Sequence, residues 1–199
     1  MNPIATYNRV YDTTLDRLKP LDGVPPLLLR LILAPVMIQA GWLKFKYFEY
    51  QAESFGSDLG LPLPELMVFL AGSAELVGGT MLVVGLATRL VAIPLMITML
   101  VAALTVHWEN GWLALSDASS WLANDRIMEA VPRKARIISI LKEHGNYSWL
   151  TGRGSVTILN NGIEFAAMYF VMLLSLFFTG GGRYTSIDYW LAKATRRSV

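Results

Sequence analysis

A chain of 199 residues with 54% apolar side chains has room for one domain, and so much apolar surface belongs in a bilayer rather than in a water-soluble core. The formal net charge of +2, with no long run of like charge, excludes nucleic acid as an expected partner. The absence of cysteine excludes disulfides, thiolate metal sites, cysteine-held iron–sulfur clusters and dithiol relays, so any redox chemistry must belong to a bound group.

Residues 1–25 carry Asp12, Asp16 and Asp22 and have no apolar core segment, so a cleavable signal peptide is not expected there. Over about residues 6–19, Tyr7, Val10, Tyr11, Thr14 and Leu18 recur at helical spacing until Pro20 ends the pattern. This predicts a short amphipathic helix on the membrane surface. The first span follows at about 26–44, with Arg30 near its start and Trp42, Lys44, Lys46 and Tyr47 suited to the headgroup level at its end. Inside it, Pro35 frees the carbonyl of Leu31, and Gln39 is a polar group that needs a partner within a bundle. Residues 49–64, with Gly56, Gly60, Pro62 and Pro64, read as a loop.

The second and third spans, about 65–86 and 89–107, form a hairpin with a connector hardly longer than Thr88-Arg89. Glu75 lies near the middle of the second, where a charge facing lipid costs several kcal/mol, so it must face protein. Ala71, Gly72, Gly78, Gly79 and Leu82 fall on its side of the helix wheel, which places the carboxyl on a stripe of small residues that lets backbones meet. The pairing expected for it is with Arg30 or another buried polar group. In the third span Pro94 predicts a bend, and Arg89 and His107 share a face at opposite boundaries, about 27 Å apart along the axis. Residues 108–161 leave the membrane pattern. Ser116 or Asp117 is the expected cap of one helix there, and Pro132 the expected start of another that ends near His144-Gly145 and puts Ile137, Ile138 and Leu141 on one side. A last span at about 162–179, with Glu164 near its start, stops at Gly180-Gly181-Gly182-Arg183.

The expected fold is therefore an all-α integral membrane protein, a four-transmembrane-helix bundle in one domain over 1–199, with an ordered helical insertion at 108–161. That insertion is expected to lie as a cap over the outer mouth. The terminal side holds Arg9, Arg17, Lys19, Arg30, Arg89, Arg183, Lys193, Arg196 and Arg197, which predicts both termini in the cytoplasm.

With these residues placed, the chain resembles the DoxX family of small bacterial membrane proteins through LLLRLILAPVMIQAGWLKF, AELVGG, GLATRLVAIPLMITMLVAALTVHW and FFTGGGRYTSIDYWL. The insertion, with ENGWLALSDASSWLA and ISILKEHGNYSWLTGRGSVTILNNGIEFA, is similar to the subgroup found beside enzymes that modify copper-binding peptides. The resemblance implies a four-helix bundle in the bacterial inner membrane. Arg30, Glu75, Arg89, His107, Glu164, Arg183 and Asp188 match the shared pattern, without an implied catalytic role for any of them.

Arg30, Gln39, Glu75, Arg89, His107, Glu164 and Arg183 are the intramembrane polar and ligand-binding candidates. No metal site is expected. His107 and His144 are the only histidines, and His144 lies in the insertion, so a haem held by two histidines within the bilayer is not expected. Thioether ligands suit Cu(I), and Met96 with Met99 and Met168 with Met172 stand at helical spacing, yet methionine in a span is ordinary packing. Two functional readings follow. One is a non-enzymatic membrane partner, a scaffold or export component linked to copper-binding peptide maturation or metal stress. The other is a redox-linked subunit in which Arg30 and Glu75 bind a quinone. Membrane lipid is one expected partner, a periplasmic peptide or protein at residues 108–161 a second, and homo-oligomerisation a further association that the sequence admits.

Overall fold

The computed structural model describes residues 3–195, so Arg196 and Arg197 of the basic tail lie outside the described residues. Among the described residues the secondary structure is helical, apart from one isolated antiparallel bridge between Leu115 and Leu159. The protein is an all-α membrane protein. Three helical stretches are long and apolar enough to cross a bilayer: Val24–Lys46, Pro64–Val84 and Thr88–Asn110. The fourth apolar helix, Glu164–Thr179, has 16 residues and reaches roughly 24 Å, short of the roughly 30 Å of a typical hydrocarbon core.

The chain forms two compact units, Met1–Thr98 with Phe170–Val199, and Met99–Tyr169. In the first, α1 (Pro3–Leu18) carries the expected amphipathic pattern, with Tyr7, Val10, Tyr11 and Leu18 all exposed. α2 (Val24–Lys46) starts on Pro25 and Pro26, whose missing N–H groups cost nothing in a first turn, and runs unbroken through Pro35. α3 (Phe48–Ser57) is a helix where a loop was expected. The sequence signal that misleads is Gly56. A Cβ there would lie 3.2 Å from the ring of Pro64, so this glycine serves a close approach rather than a break, and the buried Ala52 seats the helix against α4.

α4 (Pro64–Val84) is bounded by a proline in its first turn and by Gly85 in the left-handed region at φ 67°, the two signals that most cheaply start and stop a helix. Its stripe of small residues works as the wheel predicts: Gly72, Glu75, Gly78, Gly79 and Leu82 are buried. Gly41 of α2 comes so close that a Cβ would sit 2.5 Å from the backbone nitrogen of Leu76 and 2.7 Å from the Gly72 carbonyl. At Gly79 it would lie 2.9 Å from Ile38. The α2–α4 contact is therefore backbone against backbone, the geometry that small residues permit in the absence of water. α5 (Thr88–Ala102) runs through Pro94 and packs Leu95 over Gly78.

The second unit continues from α5 through a π-helical turn, Ala103–His107, and a 3-10 turn, Trp108–Asn110. α6 (Asp125–His144) begins seven positions before Pro132, the residue read as its start. Asn124 is the actual cap, accepting from the Ile127 N–H at 3.1 Å, and Pro132 lies inside the helix on its exposed side. Neither Ser116 nor Asp117 caps a helix. Asp117 instead closes a tight turn, accepting from the N–H and hydroxyl of Ser119 at 2.9 and 2.6 Å. After the short α7 (Tyr147–Leu150), α8 (Glu164–Thr179) returns to the first unit, which ends with α9 (Ile187–Thr195).

Candidate functional site

The seven candidate side chains separate into three groups and one outlier. The first group lies where α4 turns into α5. Arg30 is fully buried, donates from Nη2 to the Thr185 carbonyl at 2.8 Å and from Nη1 to the Leu82 carbonyl at 3.3 Å, and so ties α2, the end of α4 and the loop before α9 together. A Cβ on Gly85 would collide with this guanidinium, so the helix stop and the arginine's berth need the same glycine. Asp188 is the carboxylate that acts on Arg30 through space. Its two oxygens also accept the N–H groups of Ala87 and Thr88 at 2.6 and 2.8 Å, which satisfies donors that the first turn of α5 leaves orphaned. Arg89 donates to the Phe178 carbonyl at 3.1 Å, and Arg183 lies 3.9 Å from Asp22. Arg30, Arg89 and Arg183 thus gather at one end of the unit. Asp188 and Thr88 join them, and sequence reasoning kept neither as a candidate. Asp188 carried a signal, since a carboxylate one residue into a helix beside two glycine-rich turns is a natural acceptor for backbone donors.

The second group is an ion pair between helices. Lys44 Nζ lies 2.6 Å from Glu75 Oε2, with the two side chains 18% and 4% exposed. The partner of Glu75 is thus Lys44, which had been assigned to the headgroup level, and Arg30 has other work. The antiparallel α2–α4 contact brings the end of one helix beside the middle of the other. The four-carbon lysine stem covers the remaining depth, the reverse of its usual reach toward water. Gln39 is the outlier: it stands on the exposed face of α2, outside the packed interior where a partner was expected.

The third group belongs to the second unit. The carbonyl of Asn161 receives His107 Nδ1 at 2.8 Å and Asn110 Nδ2 at 3.0 Å. A carbonyl can only accept, so Nδ1 is the donor in this hydrogen bond. Glu164 accepts the Ala114 N–H at 2.9 Å, and buried Asn160 donates to the carbonyls of Asn110 and Leu113 at 2.8 and 2.7 Å. Asn124 donates to the same Asn110 carbonyl at 3.1 Å. Asn160 and Asn124 were not singled out from the sequence, and the Asn-Asn-Gly turn at 160–162 was the available signal. Among the described residues no cluster of three or more His, Asp and Glu side chains suits a metal ion.

On this cross-linked base the second unit exposes large aromatics: Trp121 is 91% and Trp149 77% exposed. The apolar side of α6 is likewise uncovered at Ile137 and Ile140. Outside the spans, the Ser119 hydroxyl followed by its N–H holds the Asp117 carboxyl below its ordinary range.

Together these features define a small multi-pass helical membrane protein in which most buried polar side chains are tied to one another or to backbone, while Arg30 Nε, Thr88 Oγ1 and Asn160 Oδ1 are buried without a partner. Comparison with known proteins narrows the class: residues 26–108 match the family model described as DoxX. The chain is 36% identical over 80 residues to the Bacillus subtilis protein named "Putative oxidoreductase CatD", a match covering 40% of this chain and 58% of that protein. It is 33% identical over 84 residues to an uncharacterized membrane protein of Mycobacterium tuberculosis, covering 42% of this chain and 52% of the relative. The chain therefore matches little more than half the length of these relatives. No solved structure matches it significantly.

Proposed function

We propose that this DoxX-like protein is a non-enzymatic membrane partner, a scaffold or export component whose insertion engages a copper-binding peptide or the proteins that mature it. In this reading the chain is one membrane domain of four spans in the bacterial inner membrane. Both termini are cytoplasmic, and residues 108–161 form a periplasmic cap. The observation that carries the reading is the exposure of Trp121 and Trp149, at 91% and 77%, on a base stiffened by Asn110, Asn124, Asn160 and Glu164. Tryptophan dominates binding energy at protein interfaces, and a base that is already ordered reduces the entropy lost on docking.

A photo-crosslinking side chain at position 121 or 149, in cells producing the peptide and its maturation proteins, tests this directly. Adducts with one of these partners support the proposal; adducts with lipid alone overturn it. Single cysteines test the topology, since the chain has none of its own. Cysteines at Ser119 and Ser148 should react with an impermeant reagent in intact cells, and one at Ser198, which lies outside the described residues, should not.

The relative named as an oxidoreductase favours a second reading, a quinone-binding, redox-linked subunit. In that reading the Lys44–Glu75 pair handles protons beside the quinone. Quinone that stays with the purified protein and is lost on Glu75→Gln would support this reading over the first.

A further inference from the structure

Where α4 turns into α5, the first unit carries an open cleft of about 950 Å³ that the docking reading leaves unused. The charges on its wall are unequally engaged. Asp188 is held by two backbone N–H groups and acts on Arg30 through space, and Asp22 lies beside Arg183. Arg89 has no carboxylate within ion-pair reach among the described residues. One of its terminal nitrogens donates to the Phe178 carbonyl, and the exposed guanidinium keeps N–H groups for a ligand. Beside it runs the glycine loop, in which the N–H groups of Gly181 and Gly182 donate to no acceptor among the described residues. Behind Gly181 the hydroxyl of Thr88 is buried without a partner. Unengaged donors therefore gather on this part of the wall, which is the chemistry of an oxyanion site. The rim is apolar: Pro25, Pro26, Leu90 and Ala192 line it, and Leu90 is 70% exposed.

We infer that this cleft binds the phosphate of an anionic phospholipid, with Arg89 and the Gly181–Gly182 backbone on the phosphate oxygens and the apolar rim against the glycerol end of the acyl chains. The position fits, because the end of two membrane-spanning helices lies at headgroup depth, where basic pockets meet anionic lipid. The volume accommodates a headgroup with its glycerol. Inorganic phosphate shares the oxyanion chemistry but leaves the apolar rim unused, so lipid is the preferred source.

The test measures thermal unfolding of the purified full chain in nanodiscs of three kinds: phosphatidylcholine alone, phosphatidylcholine with phosphatidylglycerol, and phosphatidylcholine with added inorganic phosphate. Phosphatidylglycerol should raise Tm by roughly 5 °C in the wild type, the size expected for a ligand well above its Kd. Arg89→Gln should reduce that rise to about 1 °C or less, Arg89→Lys should keep about half, and Arg136→Gln in the insertion should keep all of it. A rise with inorganic phosphate that also depends on Arg89 assigns the site to free phosphate and overturns the lipid. No rise with either anion, or a full rise in both Arg89 variants, overturns the site. Should Arg89→Gln fail to fold, Arg89→Lys carries the test, and a full rise in it overturns the assignment of the arginine fork.

Discussion

The Lys44–Glu75 pair makes a prediction about which of two conservative substitutions hurts more. With Nζ and Oε2 2.6 Å apart, two unit charges attract by about 6 kcal/mol at an effective dielectric constant near 20. Desolvating the carboxylate and the ammonium offsets most of that, so exchanging the whole pair for apolar side chains of similar size should change stability little. Removing one partner is different, because the survivor stays behind as an unpaired charge in a contact made of glycines and leucines. Lys44→Met strands Glu75, which is 4% exposed, and should cost about 4 kcal/mol. Glu75→Met strands Lys44, which is 18% exposed and two residues from the end of α2. Its stem can swing the ammonium back to the headgroups, so the loss should be nearer 2 kcal/mol. The double substitution should cost about 1 kcal/mol, leaving a coupling of about 5 kcal/mol. Reversible unfolding of the four proteins in detergent micelles, followed by tryptophan fluorescence and far-ultraviolet circular dichroism, measures all of these. Additivity within ~0.5 kcal/mol would refute the reasoning, as would Glu75→Met costing clearly more than Lys44→Met.

Further outcomes are expected at the α2–α4 contact, at Asp188 and at Asp117. Gly41→Ala should destabilise by about 3 kcal/mol because its methyl would meet Leu76 and Gly72 backbone at 2.5 and 2.7 Å. Gly72→Ala, which meets the Phe45 ring at 3.1 Å, should cost about 1 kcal/mol or less in the same assay. Asp188→Ala, which frees the N–H groups of Ala87 and Thr88 and leaves Arg30 without its carboxylate, should cost about 3 kcal/mol. Asp188→Asn keeps one acceptor oxygen and should lose about half of that. The depressed pKa of Asp117 favours the folded state above the unfolded carboxyl's pKa, near 3.9, and that contribution disappears as pH falls through the lower folded value. Ser119→Ala should move the carboxyl back toward its ordinary range in a carbon-detected NMR titration, while an unchanged midpoint would assign the depression to the backbone N–H alone.

Much of this architecture is written in local signals. Span length, the proline start and glycine stop of α4, and the stripe of small residues around Glu75 follow from bilayer thickness, backbone sterics and the 3.6-residue period, all of which act within one helix. What the sequence could not decide was pairing between helices. Whether Glu75 meets Arg30 or Lys44 depends on how far α2 slides along α4, and that register is set by Gly41 closing on the Leu76 and Gly72 backbone, a contact between residues more than thirty positions apart. The same limit explains α3 and α6. Gly56 and Pro132 read as helix boundaries by propensity alone, but packing against Pro64 and a cap from Asn124 outweigh the modest local cost of each. Nothing local, finally, reveals that Arg30 spends its charge on two carbonyls and Asp188 while Arg89 keeps N–H groups for the cleft. Four separate stretches of chain must meet before the accounting of donors and acceptors can be made, and only the tertiary structure brings them together.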